Sequence, residues 1–369
     1  MTIPTTQRAA VIETFNAPYT IKSDHPVKQA SQLSAGQCLV KLDYAGVCHS
    51  DLHVRNADWA NKPNLPLVGG HEGIGRVVAI GGSDHDGSVK VGDRVGIKWI
   101  GNVCGKCEMC RKGHESCCPL SFQTSHGFRV DGTFQEYTVS FTNYVTPIPE
   151  GLDGASATPI LCAASPKLSQ AVNGLTVYKA LKQANVVVGQ WVAISGAGGG
   201  LGHLAIQYAV TMGLRVLAID TGEAKKKLCL ELGAEKWVDF MESTDLINDV
   251  KAATDGLGPE AAVIAAGDAK PFNQAILYLR SKGTLVCVGM PGGAATLNVP
   301  VTLLIAKSLT ILGSAIGVIR NQQDVIEALR IAALGKVKCR HEVKPFEEIN
   351  SVIDDLAAGK IAGRVVLRF

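Results

Sequence analysis

A chain of 369 residues is long enough for two domains, and 46% apolar against 19% charged residues gives it ample material for buried cores, which excludes a disordered chain. A formal net charge of +3 offers no electrostatic reason to expect nucleic acid or an anionic membrane as partner. No apolar run reaches the ~20 residues of a membrane span, and Met1–Pro4 carries neither a signal core nor a transit pattern; the expected compartment is the reducing cytosol, where eleven cysteines point to metal or catalysis rather than disulfides.

To about Ile160 the chain reads as short strands broken by Gly, Pro and Asp, among them Gln37–Tyr44, Gly75–Ile80 and Asp93–Ile97. Within this all-β texture, Gly46 to Glu72 brings Cys48 and His71 close together, each with a carboxylate nearby. Thiolate and imidazole are the ligands zinc prefers, and catalytic zinc takes three protein ligands and keeps one position open. Asp51 and Glu72 suit an outer shell that orients those ligands. Two ligands do not complete a site, so the third must come from elsewhere; a buried apolar cysteine and a satisfied core histidine are the alternative on this stretch alone. Further on, Cys104, Cys107, Cys110 and Cys118 form C-x2-C-x2-C-x7-C in a loop rich in Gly, Lys and Glu. Four thiolates so spaced fit a closed, structural zinc site, and Cys118 is preferred to its neighbour Cys117 on spacing.

From about Val177 strands and helices alternate: strand Trp191–Ser195, helix Gly202–Met212, strand Arg215–Ile219, strand Ala261–Ala265, helix Lys270–Arg280, strand Thr284–Val288. That alternation predicts a parallel sheet with crossover helices. The first strand runs into Gly196-Ala197-Gly198-Gly199-Gly200-Leu201-Gly202. Its glycines allow a tight turn and close approach of backbone N–H groups to a pyrophosphate at the helix start. Asp220 ends the second strand, where a carboxylate accepts from adenosine ribose hydroxyls and repels a 2′-phosphate, predicting NAD over NADP. Lys225 is placed to support the ribose, or is simply a solvated helix charge. Helix Val325–Leu334 and strand Arg364–Leu367 close the chain.

With these motifs in hand, the sequence resembles the zinc-dependent medium-chain dehydrogenases, and most closely the fungal-type alcohol dehydrogenases. The likeness runs through Gly46–His53, Leu67–Gly73, Ile97–Trp99, Gly113–Ser116, Pro159–Ala163, Thr176–Leu181, Val192–Gly202 and Val288–Pro291. It implies an α/β fold: a doubly wound Rossmann parallel sheet (174–314) plus a mostly β, GroES-like catalytic domain (1–163 and 315–369). It supplies Cys162, after Pro-Ile-Leu, as third ligand of the catalytic zinc beside Cys48 and His71, making two zincs per subunit. It implies oxidation of short primary alcohols such as ethanol to aldehydes, and the reverse, by hydride transfer between a zinc-bound alkoxide and NAD. Ser50 takes the hydroxyl proton, and His53 relays it to solvent by way of the cofactor ribose. His49 faces the pyrophosphate; Thr176 approaches the nicotinamide; Val288 and Met290 are further cofactor-binding positions; Arg364 pairs with cofactor phosphate. Trp59, Trp99 and Met290 line a narrow substrate cleft. Homotetramers are the assembly the likeness implies.

The chain departs from the family in one place above all. Ten residues, Ala164–Asn173, stand between Cys162-Ala163 and Gly174-Leu175-Thr176, where the family has no gap. A displacement of ~1 Å at a reacting centre costs ~10²-fold in rate, so a catalytically impaired NAD- and zinc-binding homologue is the alternative expectation. A second departure is Gln322 where related enzymes often carry arginine: either one cofactor contact is missing or Arg320 replaces it.

Overall fold

The computed structural model describes residues 2–82, 89–148, 153–159, 175–293, 295–314, 331 and 334–369. Cys162, the segment 164–173, Arg320, Gln322 and most of Val325–Leu334 lie outside the described residues. The chain divides into two compact units, Met1–Asn173 with Gly317–Leu329 and His341–Phe369, and Gly174–Ile316 with Arg330–Arg340.

In the first unit, β1 (Thr6–Ile12) lies between β2 (Thr20–Pro26) and β4 (Leu67–Val68) in a small sheet. The larger sheet is built on β3 (Gln37–Val47), an eleven-residue strand. Around it run β5 (Glu72–Ile80), β6 (Arg94–Ile97), β7 (Tyr137–Phe141), β8 (Thr146–Pro147), β15 (His341–Pro345) and β16 (Arg364–Arg368), in the order β15-β16-β3-β5-β6-β8 with β7 paired on β3. Strand β3 joins β5 and β16 antiparallel, which brings Gly46 opposite Glu72 and Val47 opposite Val365. Alternation along β3 puts Cys38, Val40 and Leu42 into one apolar core with Val77, Val95 and Ile97. At the end of β3, helix α1 (His49–Asn56) begins with Cys48 as its N-cap.

The second unit is a parallel sheet centred on β9 (Trp191–Ser195). On one side lie β10 (Arg215–Asp220) and β11 (Lys236–Asp239); on the other lie β12 (Ala261–Ile264), β13 (Thr284–Cys287) and β14 (Thr310–Gly313). All five pairings are parallel. All five β9 residues are buried, as both faces of such a sheet require. The chain leaves β9 for β10 on one side and later returns to β12 on the other, so the end of β9 is the topological switch point where α/β sheets bind ligands. Helix α2 (Gly202–Thr211) starts there, with Gly202 to Ala209 buried. The outermost strand β14 follows α3 (Val301–Lys307), which has no buried residue.

One boundary differs from the expected 315–369. Residues Arg330–Arg340 cluster with the parallel-sheet unit, because the backbone of Lys338 is hydrogen-bonded to Gln207 and that of Arg340 to His203, both on α2.

Candidate active site and metal centres

The turn from β3 into α1 builds the first centre. Asp51 closes the helix start, its Oδ2 accepting from Cys48 N–H at 2.8 Å, and its Oδ1 lies 2.9 Å from His71 Nδ1. One carboxylate thus fixes both the backbone of Cys48 and the ring of His71, with Nε2 left to face the thiol side. Ser50 Oγ is 3.8 Å from Cys48 Sγ. Glu72 comes closer than an outer-shell role requires: Cys48, His71 and Glu72 each offer a ligand atom, and the three lie within 4.8 Å of one another. Gly46 makes room for this, since a Cβ there would fall 2.1 Å from Glu72 Oε2. Among the described residues neither Glu72 oxygen, both buried, has an aligned hydrogen-bond donor, although Arg364 Nη1 stands 3.1 Å from Oε1. A thiol, an imidazole and a carboxylate converging in a buried site is a donor set that fits zinc.

Electrostatics point the same way. Burial works against charge on His71, yet Asp51 and Cys48 hold its pKa well above the usual imidazole value. Burial raises Glu72, with the Cys48 thiolate and Asp51 adding to the rise, while Arg364 and His71 oppose it. These anionic groups form a field that favours a cation.

Beside His71, at 5.1 Å between ring centroids, stands Trp99. Trp59 meets Trp99 edge to face at 6.1 Å, and Phe128 stacks on Trp99 at 5.5 Å, so the wall has three aromatic rings rather than the expected two. His53 is buried with Nδ1 2.7 Å from Asp58, leaving Nε2 buried and without a hydrogen-bond partner among the described residues. His49 is exposed. Arg364 is buried against Glu72 and the Val47 carbonyl, because β16 runs beside β3 and a guanidinium there needs a counterion. Met290 belongs to the other unit and is 58% exposed.

Trp99 is held from behind. His126 N–H donates to its carbonyl, and His126 Nδ1 lies 2.8 Å from Lys98 O. Lys98 is buried, its ammonium donating to Tyr144 O at 2.6 Å and Thr146 Oγ1 at 3.3 Å. Burial pushes its pKa down to about 7 against the pull of Glu115. Unfolded lysine titrates near ~10.4, so across the window between these values the unfolded chain holds a proton that the folded one lacks, and stability contributed by Lys98 rises with pH. Lys98→Met removes that rise. The melting temperature of the wild type relative to the variant is therefore expected to climb between about pH 7 and pH 10; a flat difference across calorimetric scans would contradict the assignment.

In the second centre, Cys104 Sγ lies 3.9 Å from Cys110 Sγ and 3.6 Å from Cys118 Sγ, and all four sulfurs are within 4.8 Å of one another. Tetrahedral thiolates ~2.3 Å from zinc stand ~3.8 Å apart, so the cage fits the ion. Backbone N–H groups of Lys106 and Cys107 bring the Cys104 thiol down to about 6. Cys117 is exposed and outside the cage. Tyr144 donates to Glu115 at 3.1 Å, fastening this lobe to the β unit.

At the end of β9, Gly196 has φ +75° and Gly202 packs so tightly that a Cβ would lie 2.1 Å from Gly196 O. Gly199, Gly200 and Leu201 complete the turn. Asp220 at the end of β10 accepts from Gly198 N–H at 2.9 Å and from Lys225 Nζ at 3.1 Å. Thr176 is buried near the start of the helix Leu175–Gln183, and Val288 N–H donates to Ile264 O just past β13.

A family model described as alcohol dehydrogenase GroES-like domain matches residues 34–150, and one described as zinc-binding dehydrogenase matches residues 200–333. The chain is 45% identical over 368 residues to alcohol dehydrogenase 1 of Emericella nidulans, covering 100% of this chain and 99% of that one. The chain belongs to the zinc-dependent medium-chain alcohol dehydrogenases. It is also 43% identical to the alcohol dehydrogenase of Schizosaccharomyces pombe, over 100% of this chain and 99% of that one. Among solved structures it is similar to the alcohol dehydrogenase of the archaeon Aeropyrum pernix, with TM-score 0.85, 29% identity and 98% and 100% of the two chains covered. The acetophenone reductase of Geotrichum candidum, solved in complex with NAD, gives TM-score 0.83 and 28% identity, with 100% and 99% covered.

For a medium-chain alcohol dehydrogenase, motif reading missed Phe128 and the Lys98–Tyr144–Glu115 group. Phe128 carries no spacing signal, and only the fold brings it to Trp99; Lys98 is Trp99's neighbour in sequence, but nothing in the sequence signals its burial or its approach to Tyr144.

Proposed function

We propose that the chain oxidises short primary alcohols to aldehydes, and reduces aldehydes in return, with NAD exchanging the hydride. The observation that carries this reading is the buried Cys48–His71–Glu72 group, oriented by Asp51 and bounded by Trp59 and Trp99. Cys48 and His71 would hold the catalytic zinc with Cys162, and Glu72 stands ready to share it. When bound, zinc supplies a Lewis acid that lowers the pKa of an alcohol hydroxyl. Ser50, next to the thiol, receives that hydroxyl's proton. His53 is suited to pass it on: with Nδ1 donating to Asp58, the bare Nε2 is its basic nitrogen. The aromatic wall excludes water and limits the length of the chain on the reacting carbon. A panel from ethanol through branched and secondary alcohols tests this, each step in bulk being expected to cost ~10-fold or more in kcat/KM. Equal turnover of bulky alcohols would reject the narrow cleft.

Asp220 supports NAD. Its replacement by alanine removes an ionised acceptor worth ~1.5–3 kcal/mol, and leaves Lys225 facing the ribose. Asp220→Ala is therefore expected to lower kcat/KM for NAD by ~10- to 100-fold and to raise that for NADP; an unchanged ratio of the two would reject the role. A homotetramer agrees with β14 standing at the sheet edge among the described residues and with Val301 and Ile305, 66% and 70% exposed on α3. The ten free thiols among the described residues suit a reducing compartment such as the cytosol.

A further inference from the structure

Helix α2 carries two polar side chains that the chemistry above does not use. His203 is fully buried and Gln207 nearly so. His203 Nδ1 lies 2.9 Å from Gly199 O, the carbonyl in the dinucleotide turn that also accepts His203 N–H. On its other side, Nε2 receives the backbone N–H of Arg340 at 3.2 Å. An amide N–H can only donate, so Nε2 is bare and Nδ1 carries the proton given to Gly199. A single neutral imidazole thus spans the turn and Arg340. One helical turn on, Gln207 forms a reciprocal pair with Lys338, its Nε2 donating to Lys338 O at 3.0 Å and its Oε1 accepting Lys338 N–H at 2.8 Å. Arg340 is the last residue of the parallel-sheet unit, and His341, which follows it, opens β15 in the other.

We propose that His203 and Gln207 clasp the Lys338–Arg340 crossover to the dinucleotide turn, so that cofactor binding and the ordering of the crossover form one coupled equilibrium. His203 is a positioning residue for the turn, and the proposal rests on that turn binding NAD. The geometry requires coupling in both directions. Anything that holds Gly199 in place for a pyrophosphate also holds His203 Nε2 in place for Arg340, and linkage makes the two effects reciprocal. Among the described residues, the Gln207 side chain hydrogen-bonds only to Lys338 and to the carbonyl of its own helix neighbour His203, so loosening it perturbs the crossover and leaves the hydrogen bonds of the turn in place.

The test uses the intact protein and NADH as probe, followed by nicotinamide fluorescence and by amide hydrogen exchange. His203→Ala and Gln207→Leu are each expected to raise the NADH dissociation constant about five- to tenfold, the low end of ordinary coupling between sites. In the wild type, NADH is expected to slow exchange of the Lys338 and Arg340 amides by a comparable factor. A merely structural role would lower the melting temperature and the amplitude of the titration, leaving its midpoint in place. Should His203→Ala fail to fold, Gln207→Leu decides alone. Wild-type affinity in Gln207→Leu, or crossover amides indifferent to NADH, overturns the clasp. Failure of the wild type to bind NADH at all is a separate outcome, and overturns the cofactor reading beneath it.

Discussion

Cys48→Ala is expected to give a folded protein that holds one zinc per subunit instead of two and loses at least about a thousandfold in kcat/KM for ethanol. A Lewis acid at a reacting oxygen is worth several kcal/mol, and each ~1.4 kcal/mol is a factor of ten in rate. The loss should be confined to chemistry. Cys48 is the N-cap of α1, but the helix start is closed by Asp51 on the Cys48 backbone N–H, which alanine keeps. Metal analysis and turnover on the same sample check both halves of the expectation. Retention of two zincs, or activity within tenfold of wild type, would remove Cys48 from the reacting centre.

Cys110→Ser should do the reverse. Cys110 is fully buried, and around it the lobe from Asn102 to Cys118 has few buried apolar side chains of its own, so the metal takes the place of a core. Structural zinc contributes ~10–16 kcal/mol to the folding of small isolated domains; with only part of that expressed in a lobe already tied down by Glu115 and Tyr144, a fall in melting temperature on the order of 10 °C is expected. Trypsin provides a sharper readout. Lys106, Arg111 and Lys112 are exposed but stand on backbone held by the cage. The variant should be cut there quickly, while Cys48→Ala resists as the wild type does. Unaltered melting and cleavage would mean that the four thiols do not share an ion.

What could be read from the sequence was what is local in it. The four-cysteine cage lies within one short loop, so spacing alone proposed it. Strand Trp191–Ser195 is bounded by Gln190 and a Gly196 that needs positive φ, and both of its ends were legible. The inner position of Glu72 was not, because it depends on Gly46 facing it across two strands. Nor was the Arg364–Glu72 pair, whose partners lie at opposite ends of the chain. Arg330–Arg340 went to the wrong domain for the same reason. Its attachment runs through side chains of α2 more than a hundred residues earlier, and backbone periodicity does not record such bonds.

The pairing of β16 with β3 has a consequence for how the enzyme comes into being. Arg364, which pairs with Glu72 in the metal pocket, is separated from it by most of the chain. During synthesis Cys48 and His71 emerge well before β16, and until that strand follows their chamber lacks its guanidinium and one wall of backbone. Zinc loading into a finished pocket therefore waits on β16, and a stop codon just ahead of Arg364 would leave Glu72 without its counterion where the chemistry belongs.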